Sequence, residues 1–171
     1  MTKKTANDNV TFKKGDYIVY PAHGVGRVVG IEKESVAGFD IEVYVVSFEQ
    51  DKMTLRVPTA RATASGMRPL AGDDVVKGAL KTLAGKAKVK RTMWSRRAQE
   101  YEAKINSGDL ISIAEVVRDL HRAEDQPEQS YSERQLYESA LDRMARELAA
   151  VEDVPREKAL EILATSLKKA A

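Results

Sequence analysis

Hydrophobic positions change their period once along the chain. As far as residue 70 they come in short β-rich runs cut by turn residues. Asp16-Tyr-Ile-Val-Tyr20 is such a run, stopped by Pro21, and Pro21-Ala-His-Gly24 reads as a turn. Val25, Val28, Val29 and Ile31 mark a second strand over 25–36, interrupted by Gly26 and Gly30 as expected where a small barrel bends. Ala37-Gly-Phe-Asp40 reads as a hairpin turn. Ile41, Val43, Val45 and Ser47 then alternate with Glu42, Tyr44, Val46 and Phe48 in a third strand. Gln50-Asp-Lys52 turns the chain, Met53 to Val57 is a fourth strand ended by Pro58, and Gly66-Met-Arg-Pro69 allows a short fifth. This pattern predicts a small SH3- or Tudor-like β-barrel over 10–70.

From Asp73 onward the spacing becomes helical. Val75, Val76, Leu80 and Leu83 form one stripe, with Asp73 or Asp74 as the expected cap. A Gly- and Lys-containing loop covers 84–90. Trp94, Ala98, Tyr101 and Ile105 mark a second helix, capped by Thr92 or Ser95 and ended near Gly108, a plausible C′ residue. Ile113, Val116, Val117 and Leu120 mark a third, over 110–122. A long fourth helix runs through Leu136, Leu141, Met144, Leu148 and Val151, with Ser130 and Ser132 both fitting a capping box. A final helix through Ala159, Leu160, Leu163 and Leu167 takes Pro155 in its first turn and Asp153 as its cap. The expectation is an α+β protein: a disordered tail over 1–9, the barrel over 10–70, and an all-α bundle of four to five helices over 71–171.

Composition narrows the chemistry. The 171 residues hold no cysteine and two histidines, which excludes disulfides, thiolate zinc sites and thiol catalysis. No apolar run reaches the length of a membrane span and the polar start carries no secretory h-region, so a cytoplasmic protein without membrane contact is expected. His23 lies in a turn and reads as structural. His121 lies near a helix end, where a cation suits the dipole. Gly24-Val-Gly26 lacks the third glycine of a dinucleotide loop, and Gly85-Lys86 lacks both the spacing and the hydroxyl of a P-loop. We expect no catalytic residue, no metal and no cofactor, hence no enzyme.

Net charge is only +2, but it is sorted: residues 71–123 carry eleven basic and seven acidic side chains, and residues 124–171 carry seven and eleven. The sharpest cluster is Lys86, Lys88, Lys90, Arg91, Trp94, Arg96 and Arg97, with no acidic residue before Glu100. Lys and Arg bind phosphates by charge and counterion release, and a flat indole among them can stack on a base or wedge a base step. On the residues alone two readings stay open: Trp94 in the core with a solvated charged face, or Trp94 protruding beside a basic loop. Met53-Thr-Leu-Arg-Val-Pro58 is compatible with an edge strand that pairs with a partner's sheet, Arg56 meeting a carboxylate, although an ordinary barrel strand is the simpler reading.

Phe12-Lys-Lys-Gly-Asp16, Val19-Tyr-Pro-Ala-His-Gly24, Leu55-Arg-Val-Pro58, Trp94-Ser-Arg-Arg97, and Ser107-Gly-Asp109 followed by Ala114-Glu-Val-Val-Arg-Asp-Leu120 together resemble the CarD/CdnL family of bacterial transcription regulators. The resemblance runs in order over about residues 10–167. It implies a Tudor-like module that binds the RNA polymerase β subunit by pairing a β edge, through Arg56 and Pro58 and also Val46 and Lys33. Glu34 stands where some relatives carry an arginine. It also implies a helical domain in which Trp94 wedges into promoter DNA at the upstream edge of the melted −10 region. Arg96, Arg97, Arg91, Lys90, Lys88 and Lys86 would hold phosphates without reading sequence. The expected outcome is a stabilised open promoter complex with the primary-sigma holoenzyme, the protein acting as a monomer. The Ala-Ala end at 170–171 resembles tails read by ClpXP-type proteases, against the simpler reading of a frayed helix. The alternative function is a general nucleic-acid-binding adaptor without polymerase contact.

Overall fold

The computed structural model describes residues 11–123 and 125–169; the expected tail over 1–9 and the Ala-Ala end lie outside them. The chain divides into two compact units between Leu70 and Ala71.

The first unit is a five-stranded antiparallel sheet of β1 (Tyr17–Tyr20), β2 (Gly24–Val36), β3 (Phe39–Phe48), β4 (Met53–Pro58) and β5 (Arg68–Pro69). A 3-10 turn, Thr59–Arg61, follows β4. Strand order is β4-β3-β2-β1-β5, so β4 and β5 are the edges. The β2–β3 hairpin closes on Ala37-Gly38, both at positive φ (50° and 81°), the twist that a two-residue hairpin turn requires. It starts β3 at Phe39, two residues earlier than the alternation implies, because Phe39 and Asp40 pair with Val36 and Ser35 rather than forming the turn. One face of the sheet buries Ile18, Val28, Tyr44, Val46, Phe48 and Val57 together with Phe12 and Met67. Gly26 passes so close over this core that a Cβ there would sit 2.7 Å from the Phe48 ring. β2 nevertheless runs unbroken through Gly26, and its one irregularity is a shift of register against β3 between Val28 and Gly30.

The second unit holds five helices: α1 (Asp73–Leu83), α2 (Trp94–Asn106), α3 (Leu110–Leu120), α4 (Tyr131–Glu152) and α5 (Arg156–Lys168). α3 is the centre. It packs against α1, α2 and α4, and for that reason Leu110, Ile113, Ala114, Val116, Val117 and Leu120 are all buried. Asp109 caps it, accepting from the Ser112 amide at 3.0 Å. Gly108, at φ 73°, is the left-handed residue that ends α2. Ser130 caps α4 by accepting from the Glu133 amide. Glu147 of α4 is 2% exposed and accepts from the Ala71 amide at 2.8 Å, fixing the entry into the helical unit.

Three caps differ from expectation. The N-cap of α1 is Gly72, and Asp73 and Asp74 lie in its first turn, where their charge meets the positive helix end instead of bonding an amide. The N-cap of α2 is Met93, which makes no side-chain cap, neither Thr92 nor Ser95 serving. Asp153 does not start α5; it ends α4 in the left-handed conformation, at φ 53°, and Pro155 itself occupies the N-cap of α5.

Candidate functional sites

On the sheet unit, β4 pairs only with β3 among the described residues, which leaves its other backbone edge unpaired. Arg56 at its middle lies opposite Val45 of β3. Alternation places on that same outer face Glu32, opposite Val43, and Glu34, opposite Ile41. The Arg56 guanidinium reaches both: Nη1 donates to Glu32 Oε2 at 2.6 Å and to Glu34 Oε1 at 2.5 Å. These bonds and charges, those of Glu32 first and then of Glu34, hold the Arg56 pKa above its ordinary value. One nitrogen makes both bonds, so Nε and Nη2 keep the forked geometry that grips a carboxylate. Pro58 is half-buried at the strand's end and forms a hollow with Ile41 and Thr59–Arg61.

The other two residues expected at this surface are not brought to it. Val46 is 0% exposed, part of the interior, with Val28 and Leu55 on either side of it in the sheet. It has neither a side chain nor a free backbone edge to offer. Lys33 is exposed but pairs with Glu42 on the face opposite Arg56, because strand side chains alternate. It cannot take the place of Glu34.

On the helical unit, α1 and α2 are joined by irregular chain over 84–93, and Lys86, Lys88, Lys90, Arg91 and the following Arg96 are all exposed. Trp94 is the first residue of α2. It is half-buried rather than protruding: its ring packs on the helical core, and Nε1–H donates to Ser132 Oγ at 3.1 Å. Arg97 lies between two rings, its guanidinium 5.4 Å from the Trp94 centroid and 5.8 Å from that of Tyr101. Its Nε is buried without a hydrogen-bond partner, and Nη2 donates to the Tyr101 hydroxyl at 3.4 Å. Arg97 therefore braces the indole, and Arg96 is the arginine of the pair that faces solvent.

Tyr101, Ser132 and Asp119 were not assigned to the site by the sequence. Tyr101 read only as a core position of the helix, although residues 94, 97 and 101 share one helical face. Ser132 read only as a capping candidate, and Asp119 only as part of a helical motif. Ser132 comes from 38 residues away, and Asp119 accepts from the Lys88 amide at 2.9 Å across 31 residues.

The two histidines are structural. His23 stacks on Tyr20 and leans on Phe48. His121 ends α3 with Nδ1 3.0 Å from the Tyr137 hydroxyl, and burial lowers its pKa below the ordinary 6.5. Burial thus disfavours the cation that a helix terminus alone would favour. Among the described residues no group of His, Asp or Glu is placed to hold a metal, and no helix is long and apolar enough to cross a membrane.

Comparison with known proteins follows the same division. Residues 12–71 match the family model described as CarD-like/TRCF RID domain, and residues 78–164 match CarD, C-terminal domain. Similarity extends to a Bacillus subtilis (strain 168) protein named "Putative transcription factor YdeB", 28% identical over 143 residues, which cover 84% of this chain and 94% of that protein.

Proposed function

The chain belongs to the CarD family of transcription regulators, and from that premise we propose that it binds RNA polymerase through the β4 edge and stabilises the open promoter complex through the helical unit. One observation carries the reading. A single chain joins a sheet with an unpaired edge, Arg56 at its middle, to a helical unit whose basic chain leads directly into a braced tryptophan. The edge supplies main-chain hydrogen bonds to a strand of the polymerase β subunit, and the Arg56 fork supplies charge recognition at the same register. Pro58, at the strand's end, closes that register.

The helical unit supplies point charges and one flat ring. Lys86, Lys88, Lys90, Arg91 and Arg96 face phosphates, which positions the protein without specifying sequence. Trp94, stiffened by Arg97 and Tyr101, meets the distorted minor groove at the upstream edge of the bubble. Stabilising the melted state by about 1.4 kcal/mol shifts that equilibrium tenfold, so no covalent chemistry is required.

The test is the lifetime of the open complex on a ribosomal-RNA-type promoter with primary-sigma holoenzyme, with and without the protein. A longer lifetime is expected. Arg96→Ala, at an exposed position, should shorten it without disturbing the fold, and Trp94→Ala should abolish the gain. Arg56→Glu should weaken binding to the isolated β fragment. No lengthening at concentrations that saturate the β subunit removes the DNA half of the reading, and unchanged affinity of Arg56→Glu removes Arg56 from the interface.

A further inference from the structure

The basic chain ahead of α2 has almost nothing of its own to hold it. Over residues 86–92 it forms no helix or strand, and its side chains are exposed. Among the described residues, one backbone hydrogen bond fixes this stretch: the Lys88 amide donates to Asp119 Oδ1 at 2.9 Å. Asp119 is suited to the task. It is the penultimate residue of the central helix α3, its side chain is 5% exposed, and Arg118 Nε donates to the same oxygen at 2.8 Å. A buried carboxylate held from behind by a guanidinium is a rigid acceptor, and a hydrogen bond to a charged group is among the stronger ones.

That single bond decides where two lysines go. Lys88 and Lys90 come to lie over α2 and form, with Arg97 and Lys104, a cleft of about 300 Å³. Two acids line it: Glu100, 3.6 Å from the Lys90 ammonium, and Asp119, already engaged by Lys88 and Arg118; Lys104 is paired with Glu115 at 2.8 Å. The Lys88 ammonium has no acid partner among the described residues, and with the neighbouring cations it makes a hollow that suits a single phosphodiester group. Loose lysines would first have to be ordered, at an entropic cost to binding.

We propose that Asp119 is a positioning residue for DNA binding: by holding the Lys88 amide it fixes the path of the basic chain, so that a backbone phosphate finds the Lys88–Lys90–Arg97–Lys104 cleft already formed. The proposal rests on the reading of the helical unit as a DNA-binding unit. Asp119 itself touches no nucleic acid, and its charge alone would repel it.

Two readouts on the full chain separate the parts. The first is hydrogen exchange at the Lys88 amide, which needs no DNA. The second is open-complex lifetime with holoenzyme at saturating protein. In the wild type the Lys88 amide should be protected. Asp119→Ala should remove that protection and cut the gain in lifetime by about threefold to tenfold. Asp119→Asn, which keeps an acceptor oxygen, should restore both. Lys88→Ala, at an exposed side chain, should shorten the lifetime and leave the amide protected, and this variant carries the test if Asp119→Ala does not fold. An unprotected Lys88 amide in the wild type overturns the tether. Unchanged lifetime in a folded Asp119→Ala, or in Lys88→Ala, overturns its role in DNA binding, as does Asp119→Asn behaving like the alanine variant. A wild-type protein that leaves the lifetime unchanged overturns the functional reading beneath the proposal, whatever the amide shows.

Discussion

The two candidate surfaces are built in opposite ways. On the sheet, Arg56 of β4 and Glu32 and Glu34 of β2 project across the intervening β3 onto one outer face, and none of them belongs to the interior. On the helical unit, Trp94 is held by α2 through Arg97 and Tyr101 and by α4 through Ser132, while the basic chain beside it is tied to α3 through Asp119. The first surface is laid on top of a finished fold; the second is part of how its unit packs. A sheet face can therefore change its charges with little consequence for folding, whereas the tryptophan surface is coupled to the stability of the bundle.

Trp94→Ala breaks that coupling most directly. Loss of a half-buried indole and of its contacts with Arg97 and Tyr101 should cost the helical unit about 2 kcal/mol, read as a lower urea midpoint. If stability is unchanged, the ring is only laid on the surface and the contrast with the sheet disappears. Ser132→Ala is the finer cut. It removes the acceptor of the indole N–H and should cost about 1 kcal/mol. Because Trp94 is the only tryptophan, its emission reports the change, and a shift to longer wavelength is expected.

His121 gives the contrast a pH dependence. Burial lowers its folded pKa below 6.5. The unfolded chain therefore binds the proton more readily, and the stability that His121 contributes is present above 6.5 and is lost as pH falls through the lower folded value. The helical unit should weaken on mild acidification, and His121→Gln should flatten that slope in unfolding curves taken between neutral and weakly acidic pH. The smallest effect is expected on the sheet. Glu32→Gln with Glu34→Gln removes both partners of an exposed guanidinium and should leave the unfolding midpoint where it was, since exposed ion pairs contribute little. A clear drop in that midpoint would make the two surfaces alike.

The sequence showed what is periodic or punctuated. Strand alternation located β3 and β4, and proline at 58 marked the end of β4. Helical spacing located the five helices of the described residues, Gly108 stands past the end of α2 as expected, and of the two candidate serines Ser130 is the one that caps α4. What it could not show depends on partners chosen in space. Asp153 carries a capping side chain, yet it terminates a helix because Pro155 already provides the extended N-cap geometry of the next. Val46 and Lys33 read as surface candidates by their place in the chain, but register sends one inward and the other to the wrong face. The basic run and Trp94 were visible as composition, whereas the bonds to Ser132 and Asp119 arise only once α3 and α4 are packed.

The open edge of β4 has a consequence for the protein's life at high concentration. Any strand with a bare edge can be extended by its own double, and sheets with such edges grow into aggregates. β4 is six residues long and closes with a proline that cannot donate to a new ladder. The face beside that edge carries Arg56, Glu32 and Glu34 close together, and charged side chains flanking a bare edge disfavour its growth. A short strand, a terminal proline and a charged flank together act as a solubility device for an edge that the sheet leaves bare.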